Sequence, residues 1–407
     1  MFNIAVTGAD GFIGAHLFAA LSELPYMDTI FKIKHTDDPG HIQWVLDQVD
    51  AVFHLAGVNR PKNKDEFISG NEGFTRQLLD MLLDGINPSK RPFFYLASTE
   101  QLNEFSNDSN CYEDNIYAHS KMCAEYALYE KRNILYHVRA RLPHVFGPGC
   151  KPHYNSVIAT FCHNATQGVS GVADNPNKCI KIVHIHYVIQ NALDCLADYR
   201  AFMRKDPYAF VPDIPDDINS SRGCALYWGE TSGAVTVSLQ EIVDTINACA
   251  KVRDGGQLPD VSVPWIRDMY STFLSYVPEL EYMYVPKLIT DGRGSLVQIL
   301  GSENIGQWYI VTLNKDVVRG DHYHKRKVEK FIVLQGDVTI ELNHIDKPEL
   351  CRSFVMVAPC YRVVDVPPDY MHRLINNGRG LATVLCWASE PFDKNNQDTY
   401  RSQDQCY

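Results

Sequence analysis

The sequence predicts a doubly wound parallel α/β sheet followed by a separate all-β jelly-roll barrel, and three observations predict it. Residues 1–150 alternate short apolar runs with helical stretches, the pattern of a parallel sheet covered by helices. Beyond about residue 285 the helical signal gives way to short alternating runs at close spacing. A glycine-rich turn follows the first strand, and a histidine-rich string of a different kind sits far downstream. A chain of 407 residues accommodates two domains, here expected at 1–283 and 284–407.

The elements follow in order. Strands are expected at Asn3–Thr7, Ala51–Leu55 and Phe93–Ala97, apolar runs typical of a sheet buried on both faces. A first helix is expected over His16–Leu21. From about 206 to 234 the chain turns to Pro, Asp, Ser and Gly, which reads as an exposed insertion. Ser238-Leu239-Gln240-Glu241 is a capping box that starts a helix, and Gly255-Gly256 stops it. Another apolar segment, Met269 to Val277, ends at Pro278. The strands expected after that are Gln307–Leu313, Lys330–Leu334, Val338–Leu342, Phe354–Val357, Arg362–Val366 and Thr383–Trp387.

Composition narrows the function classes. With 45% hydrophobic and 21% charged residues the chain can bury an ordinary globular core. No apolar run approaches the roughly 18 residues that span a bilayer. The first residues enter a strand and form no basic, apolar leader, so the cytoplasm is the expected location. The 12 cysteines include no Cys-x-x-Cys pair, and Cys162, Cys195, Cys249 and Cys386 sit in apolar contexts. They read as reduced thiols. A net charge of −11 argues against nucleic acid as the main partner.

The glycine turn carries the first chemistry. In Thr7-Gly8-Ala9-Asp10-Gly11-Phe12-Ile13-Gly14 the glycines permit a tight turn and close approach of backbone to a pyrophosphate at a helix N-terminus. Three glycines alone say little. Placed between a strand and a helix they predict a Rossmann-type dinucleotide site. The second strand ends Ile33-Lys34-His35-Thr36, where an NAD-selective site places an acidic residue. Lys34 and His35 suit a 2′-phosphate instead, which favours NADPH, although Asp37 and Asp38 lie close by. Tyr117 and Lys121 are four apart on an expected helix and share a face. The ammonium is expected to lower the phenol's pKa, with Tyr117 protonating a carbonyl as hydride arrives. Thr99, at the end of the strand Phe93–Ala97, is placed to hydrogen-bond that carbonyl, with Ser98 as its rival.

Together these residues resemble the extended short-chain dehydrogenase/reductase family. The resemblance covers His54-Leu55-Ala56-Gly57, which it places beside the adenine ribose, so Leu55, Ala56 and Gly57 are expected to touch cofactor. It extends to Arg141-Leu142-Pro143-His144-Val145-Phe146-Gly147-Pro148 and implies that Arg141 and His144 lie near a sugar nucleotide. The family has Asn where His144 stands, and acidic residues near His186-Tyr187.

The downstream string reads His322-Tyr323-His324, then Glu329 and Gly336, then Pro368, His372 and Asn376. His322 and His324 alternate on one expected strand and so face one side, with Glu329 and His372 joining from adjoining strands. This string matches the metal motif of cupin barrels. Three imidazoles and a carboxylate suit Zn, Fe, Ni or Mn, and redox-neutral chemistry favours Zn. Asp369 stands where cupins have Gly; Asp tolerates left-handed geometry. On a 4-keto sugar, C3 deprotonation to an enolate and reprotonation on the other face would invert that centre. Lys327, Lys330 and Tyr323 flank the ligands, and the sequence does not single out a base.

Over nearly the whole chain the sequence is similar to bifunctional capsular polysaccharide enzymes that fuse these two domains. The likeness lies in Leu55 to Pro61, Lys151 to Thr160, Tyr270 to Tyr276, Gly294-Ser295, His322 to Phe331 and Asp398-Thr399-Tyr400. It implies a homodimer acting on a UDP-linked 4-keto-6-deoxy amino sugar. The cupin domain would epimerise C3, and the reductase domain would reduce C4 with NADPH to give UDP-2-acetamido-2,6-dideoxy-L-talose. It also implies substrate contacts from Asn59, Arg60, Asn155 and Ser156. The rivals are a reductase whose barrel only binds or senses ligand, and a 4-epimerase or dehydratase that recycles bound NAD.

Overall fold

The structure, a computed structural model, describes residues 2–84, 91–103, 115–205, 225–226, 233–255, 257–359 and 361–401. Two units emerge, one of residues 1–163 and 172–242, the other of 164–171 and 243–407. The expected insertion at about 206–234 lies outside the described residues, except for 225–226 and 233–234.

In the first unit, strands β1 (Phe2–Thr7), β2 (Met27–Ile33), β3 (Ala51–His54), β4 (Phe93–Thr99) and β5 (Tyr136–Leu142) pair in parallel in the order β2-β1-β3-β4-β5. Alternate side chains feed cores on opposite faces. Ile4 and Val6 pack with Leu17 and Leu21 of helix α1 (Phe12–Ser22), while Ala5 packs with Ile42 and Leu78 on the other face. The sheet is therefore doubly wound, as the continuous apolar runs predicted. The strand order reverses at β1 and β3, and ligands of such sheets bind beyond the strand C-termini at that crevice. The glycine turn after β1 and the Leu55-Ala56-Gly57 segment after β3 both lie there.

The second unit carries an antiparallel jelly roll. One sheet orders its strands Leu288–Asp291, Gly294–Ser302, Gly306–Leu313, Ala382–Ala388, Glu329–Gln335 and Val364–Val366. The other runs Val318–His322, Tyr370–Asn376, Asp337–His344 and Cys351–Val357. Val311, Phe331, Val333 and Val384 from the first sheet pack with Val338, Ile340 and Leu374 from the second in one apolar core. The capping box forms as expected: Ser238 Oγ accepts from Glu241 N at 3.1 Å and Glu241 Oε2 accepts from Ser238 N at 2.7 Å. Gly255, at φ +83°, ends that stretch.

Candidate functional site

At the crevice of the parallel sheet the glycine turn is tightly wound. Gly8 has φ +69°, and a Cβ on Gly14 would stand 2.0 Å from Gly8 O, so the loop and α1 approach as only glycine allows. The next layer is a chain of hydrogen bonds. Ala56 N donates to Thr7 Oγ1 at 3.1 Å, and Thr7 Oγ1 meets His54 Nδ1 at 2.7 Å. His54 Nε2 meets Thr75 Oγ1 at 2.9 Å, and Thr75 donates on to Asn71 O. This order assigns the proton to Nε2 of a neutral imidazole. Burial, then the Lys121 charge, hold the His54 pKa down at about 3. Asn71 lies in a π-helical turn, Ile68–Gly73. Its side chain accepts from Val58 N, donates to Val58 O and reaches Ser120 Oγ, which fixes the loop beyond Gly57.

Thr99, Tyr117 and Lys121 converge. Helix α2 (Ile116–Glu130), capped by Asn115, carries Tyr117 and Lys121 on one face. Lys121 is buried and donates to Ala97 O at 3.0 Å; burial lowers its pKa to about 8. Tyr117 corrects an expectation. Its pKa is raised, because burial outweighs the neighbouring Thr99 hydroxyl, while the Lys121 ammonium is directed at Ala97 O. The phenol is therefore a held proton donor. Thr99 faces Tyr117, whereas the Ser98 hydroxyl is buried elsewhere in the sheet without a hydrogen-bond partner.

Lys34 pairs with Asp10 of the glycine turn at 3.2 Å, and so does Lys32, at 2.9 Å, a cation that sequence reasoning missed. His35 is exposed with its ring edge on Phe74. The two acids that competed with a 2′-phosphate in the sequence are tied to backbone. Asp37 accepts from Lys34 N, and Asp38 accepts from Gly40 N and His41 N.

The expected substrate residues divide. Arg60 reaches Asn155 Oδ1 and His153 O, both at 3.3 Å, with Asn59 exposed beside it. Ser156 is buried, caps its helix at Ala159 N and meets His144 Nε2 at 3.4 Å. Burial lowers the His144 pKa. Arg141 is a correction: 4% exposed, it grips Glu125 through Nε and Nη2 and Asn103 through Nη1. Its guanidinium joins helix to sheet, and that packing role replaces the expected substrate contact.

In the jelly roll the four expected ligands meet. Ligand atoms of His322, His324, Glu329 and His372 all lie within 4.8 Å of one another. His322 and His372 are cross-strand partners, and Glu329 opens its strand. His324 departs from the expected alternation. The strand ends at His322, after a register shift and Asp321 at φ +62°, and His324 reaches the cluster from the following loop. Asp369 adopts the left-handed conformation expected of it, φ +64°. Glu329 Oε2 stands 3.1 Å from His372 Nε2 and 3.4 Å from His324 Nε2. Oε2 and His324 Nε2 are buried with no hydrogen-bond partner. Two orphaned donors at the centre of such a set fit a divalent cation. Burial works to raise the Glu329 pKa, but the His324 contact and the His372 charge outweigh it and hold it well down. Burial lowers the pKa of His322 and takes that of His372 to about 4.

Two supports were not legible in the motif. Tyr309 donates to Glu329 Oε1 at 2.8 Å across the intervening strand Ala382–Ala388. His324 Nδ1 donates to the carbonyl of Asp398, whose carboxylate accepts from the backbone N–H groups of Lys325, Arg326 and Lys327 at 3.0, 2.9 and 2.8 Å. The short extended bridge Tyr323↔Tyr400 pins the same segment. Such outer contacts orient metal-ligating imidazoles.

Fold and sites thus define an oxidoreductase-type dinucleotide sheet joined to a jelly roll with a metal-competent cluster. The model of the NAD dependent epimerase/dehydratase family matches residues 4–176, and that of the polysaccharide biosynthesis C-terminal domain matches 289–400. The chain is 30% identical over 412 residues to UDP-2-acetamido-2,6-beta-L-arabino-hexul-4-ose reductase of Pseudomonas aeruginosa, covering 98% of each. The crystal structure of the capsular polysaccharide assembling protein CapF from Staphylococcus aureus matches with TM-score 0.76 at 28% identity, covering 98% of this chain and 99% of that one. CapF with the inhibitor 3-isopropenyl-tropolone matches with TM-score 0.71 at 25% identity, again covering 98% and 99%. The chain belongs to the family of this reductase and CapF.

Proposed function

We propose that the chain is a bifunctional sugar-nucleotide enzyme with a reductase domain at 1–283 and a metal-binding cupin domain at 284–407. The substrate is a UDP-linked 4-keto-6-deoxy-N-acetylhexosamine; the barrel epimerises C3, and the sheet domain reduces C4 to give UDP-2-acetamido-2,6-dideoxy-L-talose. We take it to act in the cytoplasm as a homodimer, and the eight described cysteines, all free, agree with a reducing compartment. The observation that carries the reading is that one chain assembles both a Thr99–Tyr117–Lys121 set and a buried three-histidine, one-carboxylate cluster. Its relative, a hexul-4-ose reductase by name, supplies the substrate class.

NADPH, when bound, would supply hydride to C4. Tyr117 gives its proton to the C4 oxygen, a role suited to a phenol that burial keeps protonated. Thr99 orients the same oxygen, and Lys121, anchored on Ala97 O, keeps its cation beside the site. Lys32 and Lys34 at the end of β2 are placed for a 2′-phosphate. In the barrel a divalent cation, Zn by its ligand set, would supply positive charge. His322, His324, Glu329 and His372 would hold it, and Tyr309 and Asp398 orient two of them. The tropolone inhibitor of CapF, with its adjacent chelating oxygens, agrees with a metal in that family.

The test uses candidate UDP-4-keto sugars in deuterated water, with and without NADPH, read by NMR. Tyr117→Phe is expected to abolish cofactor oxidation and leave C3 deuterium exchange intact; His322→Ala does the reverse. Loss of both activities from either change refutes two separable sites, and wild-type protein that exchanges no C3 proton without NADPH reduces the barrel to a binding module.

A further inference from the structure

The jelly roll holds one charge that the ligand cluster leaves unused. Lys327 is only 7% exposed. Its backbone N–H is fixed by Asp398, and the next residue extends the ladder, with Ser389 N donating to Val328 O at 2.9 Å. Lys327 stands two residues ahead of Glu329, which opens its strand, and residues two apart share a face where the backbone is extended. The alternation of buried 327, half-buried 328, buried 329, exposed 330 and buried 331 follows that phase. The Lys327 ammonium lies close enough to His324 to act on it electrostatically.

The neighbouring cations and flanking groups are all engaged. Arg326 pairs with Glu390, Lys330 pairs with Asp365 at the surface, Lys325 lies over the Tyr400 ring, and Tyr323 stacks on Tyr400. Glu329 is taken by Tyr309, His324 and His372. Among the described residues no carboxylate or carbonyl meets the Lys327 ammonium. The side chain is largely buried, yet its unpaired ammonium keeps contact with solvent and so stands open to an incoming anion. Beside a cluster built for a cation, a substrate oxygen that gains negative charge is such an anion.

We infer that Lys327 is a catalytic residue of the barrel, the fixed cation that binds the C4 oxygen of the 4-keto sugar and stabilises its enolate. The inference rests on the epimerase reading and deepens it. When the C3–H bond breaks, its electron pair becomes the C3=C4 double bond, and the carbonyl pair moves onto the C4 oxygen opposite Lys327. The proton passes to a base in exchange with water; the C3–H bond re-forms on the other face as the oxygen pair returns. Lys327 contributes charge and a hydrogen bond and keeps its own protons.

The test measures C3 hydrogen–deuterium exchange without NADPH for wild type, Lys327→Gln and Lys327→Arg, together with metal content by elemental analysis. Lys327→Gln is expected to retain metal and reduce exchange by about 100-fold or more, the loss typical of one removed oxyanion donor. Lys327→Arg, which keeps the charge and cannot act as a base, is expected to stay within about tenfold of wild type. Three results would overturn the assignment: Lys327→Gln exchanging at the wild-type rate, Lys327→Gln losing its metal, or Lys327→Arg as inactive as the glutamine variant. Absence of exchange in wild type would instead remove the epimerase reading itself.

Discussion

The two oxygens of Glu329 do different work. Oε1 is taken by the Tyr309 hydroxyl and Oε2 is left facing His324 and His372. Removing the phenol oxygen frees the carboxylate to rotate away from the histidines. Tyr309→Phe is therefore expected to weaken metal binding about 10–100-fold in a chelator competition, with NADPH affinity unchanged; unaltered metal affinity would show the contact to be incidental. Tyr309 was invisible in the motif because the link runs across the strand Ala382–Ala388, between residues twenty apart, while a pattern search follows one strand at a time. His54 titrates in the same sense as a paired acid, because folding lowers its pKa. Its neutral form is bound by Thr7 and Thr75 in the folded chain, with a pKa near 3 against an ordinary 6.5. The unfolded chain takes up the proton first, so stability falls as pH drops from about 6.5 toward 3, by at most about 1.4 kcal/mol per pH unit. Urea unfolding at several pH values between 7 and 5 should show that slope, and His54→Gln should flatten it.

At the scale of elements, helix α2 shows how the face proposed for catalysis is held in phase. Tyr117, Lys121 and Glu125 follow one another at four-residue spacing, so all three fall on the side turned to the sheet. Glu125 is fully buried and receives Arg141 through two nitrogens, with Arg139 at 3.9 Å. That ion pair fixes the rotation of the helix that presents Tyr117. Glu125→Gln leaves buried guanidinium charge uncompensated and is expected to cost about 3–5 kcal/mol, seen as a lower denaturant midpoint. A change within experimental error would mean that the helix is held by its apolar contacts alone. The sequence suggested Arg141 for substrate because its string of residues resembles one near a sugar nucleotide. Its true partner sits sixteen residues upstream on a helix, where no local pattern announces it.

For the molecule as a whole, both fold classes and the four-ligand cluster were legible, since period-two and period-3.6 patterns and a dense ligand string are local properties. What escaped notice was formed by long-range approach: Lys32 beside Asp10, the His54 chain to Asn71, and Asp398 returning from the C-terminal segment to hold His324. The direction of the Tyr117 shift also escaped, because it depends on where Lys121 points, and that is set by the carbonyl of Ala97. These supports keep each centre's chemistry on its own residues, which gives the final prediction its sign. On the proposed reading the sheet domain needs a nicotinamide and a phenol, and the barrel needs a cation among three imidazoles and a carboxylate. Stripping metal with a strong chelator is therefore expected to abolish C3 exchange while NADPH oxidation with an already epimerised 4-keto substrate continues at its original rate. Restoring Zn should return the exchange. A chelated protein that still exchanges C3, or one that loses both reactions together, would break the division of labour on which the proposed two-step conversion depends.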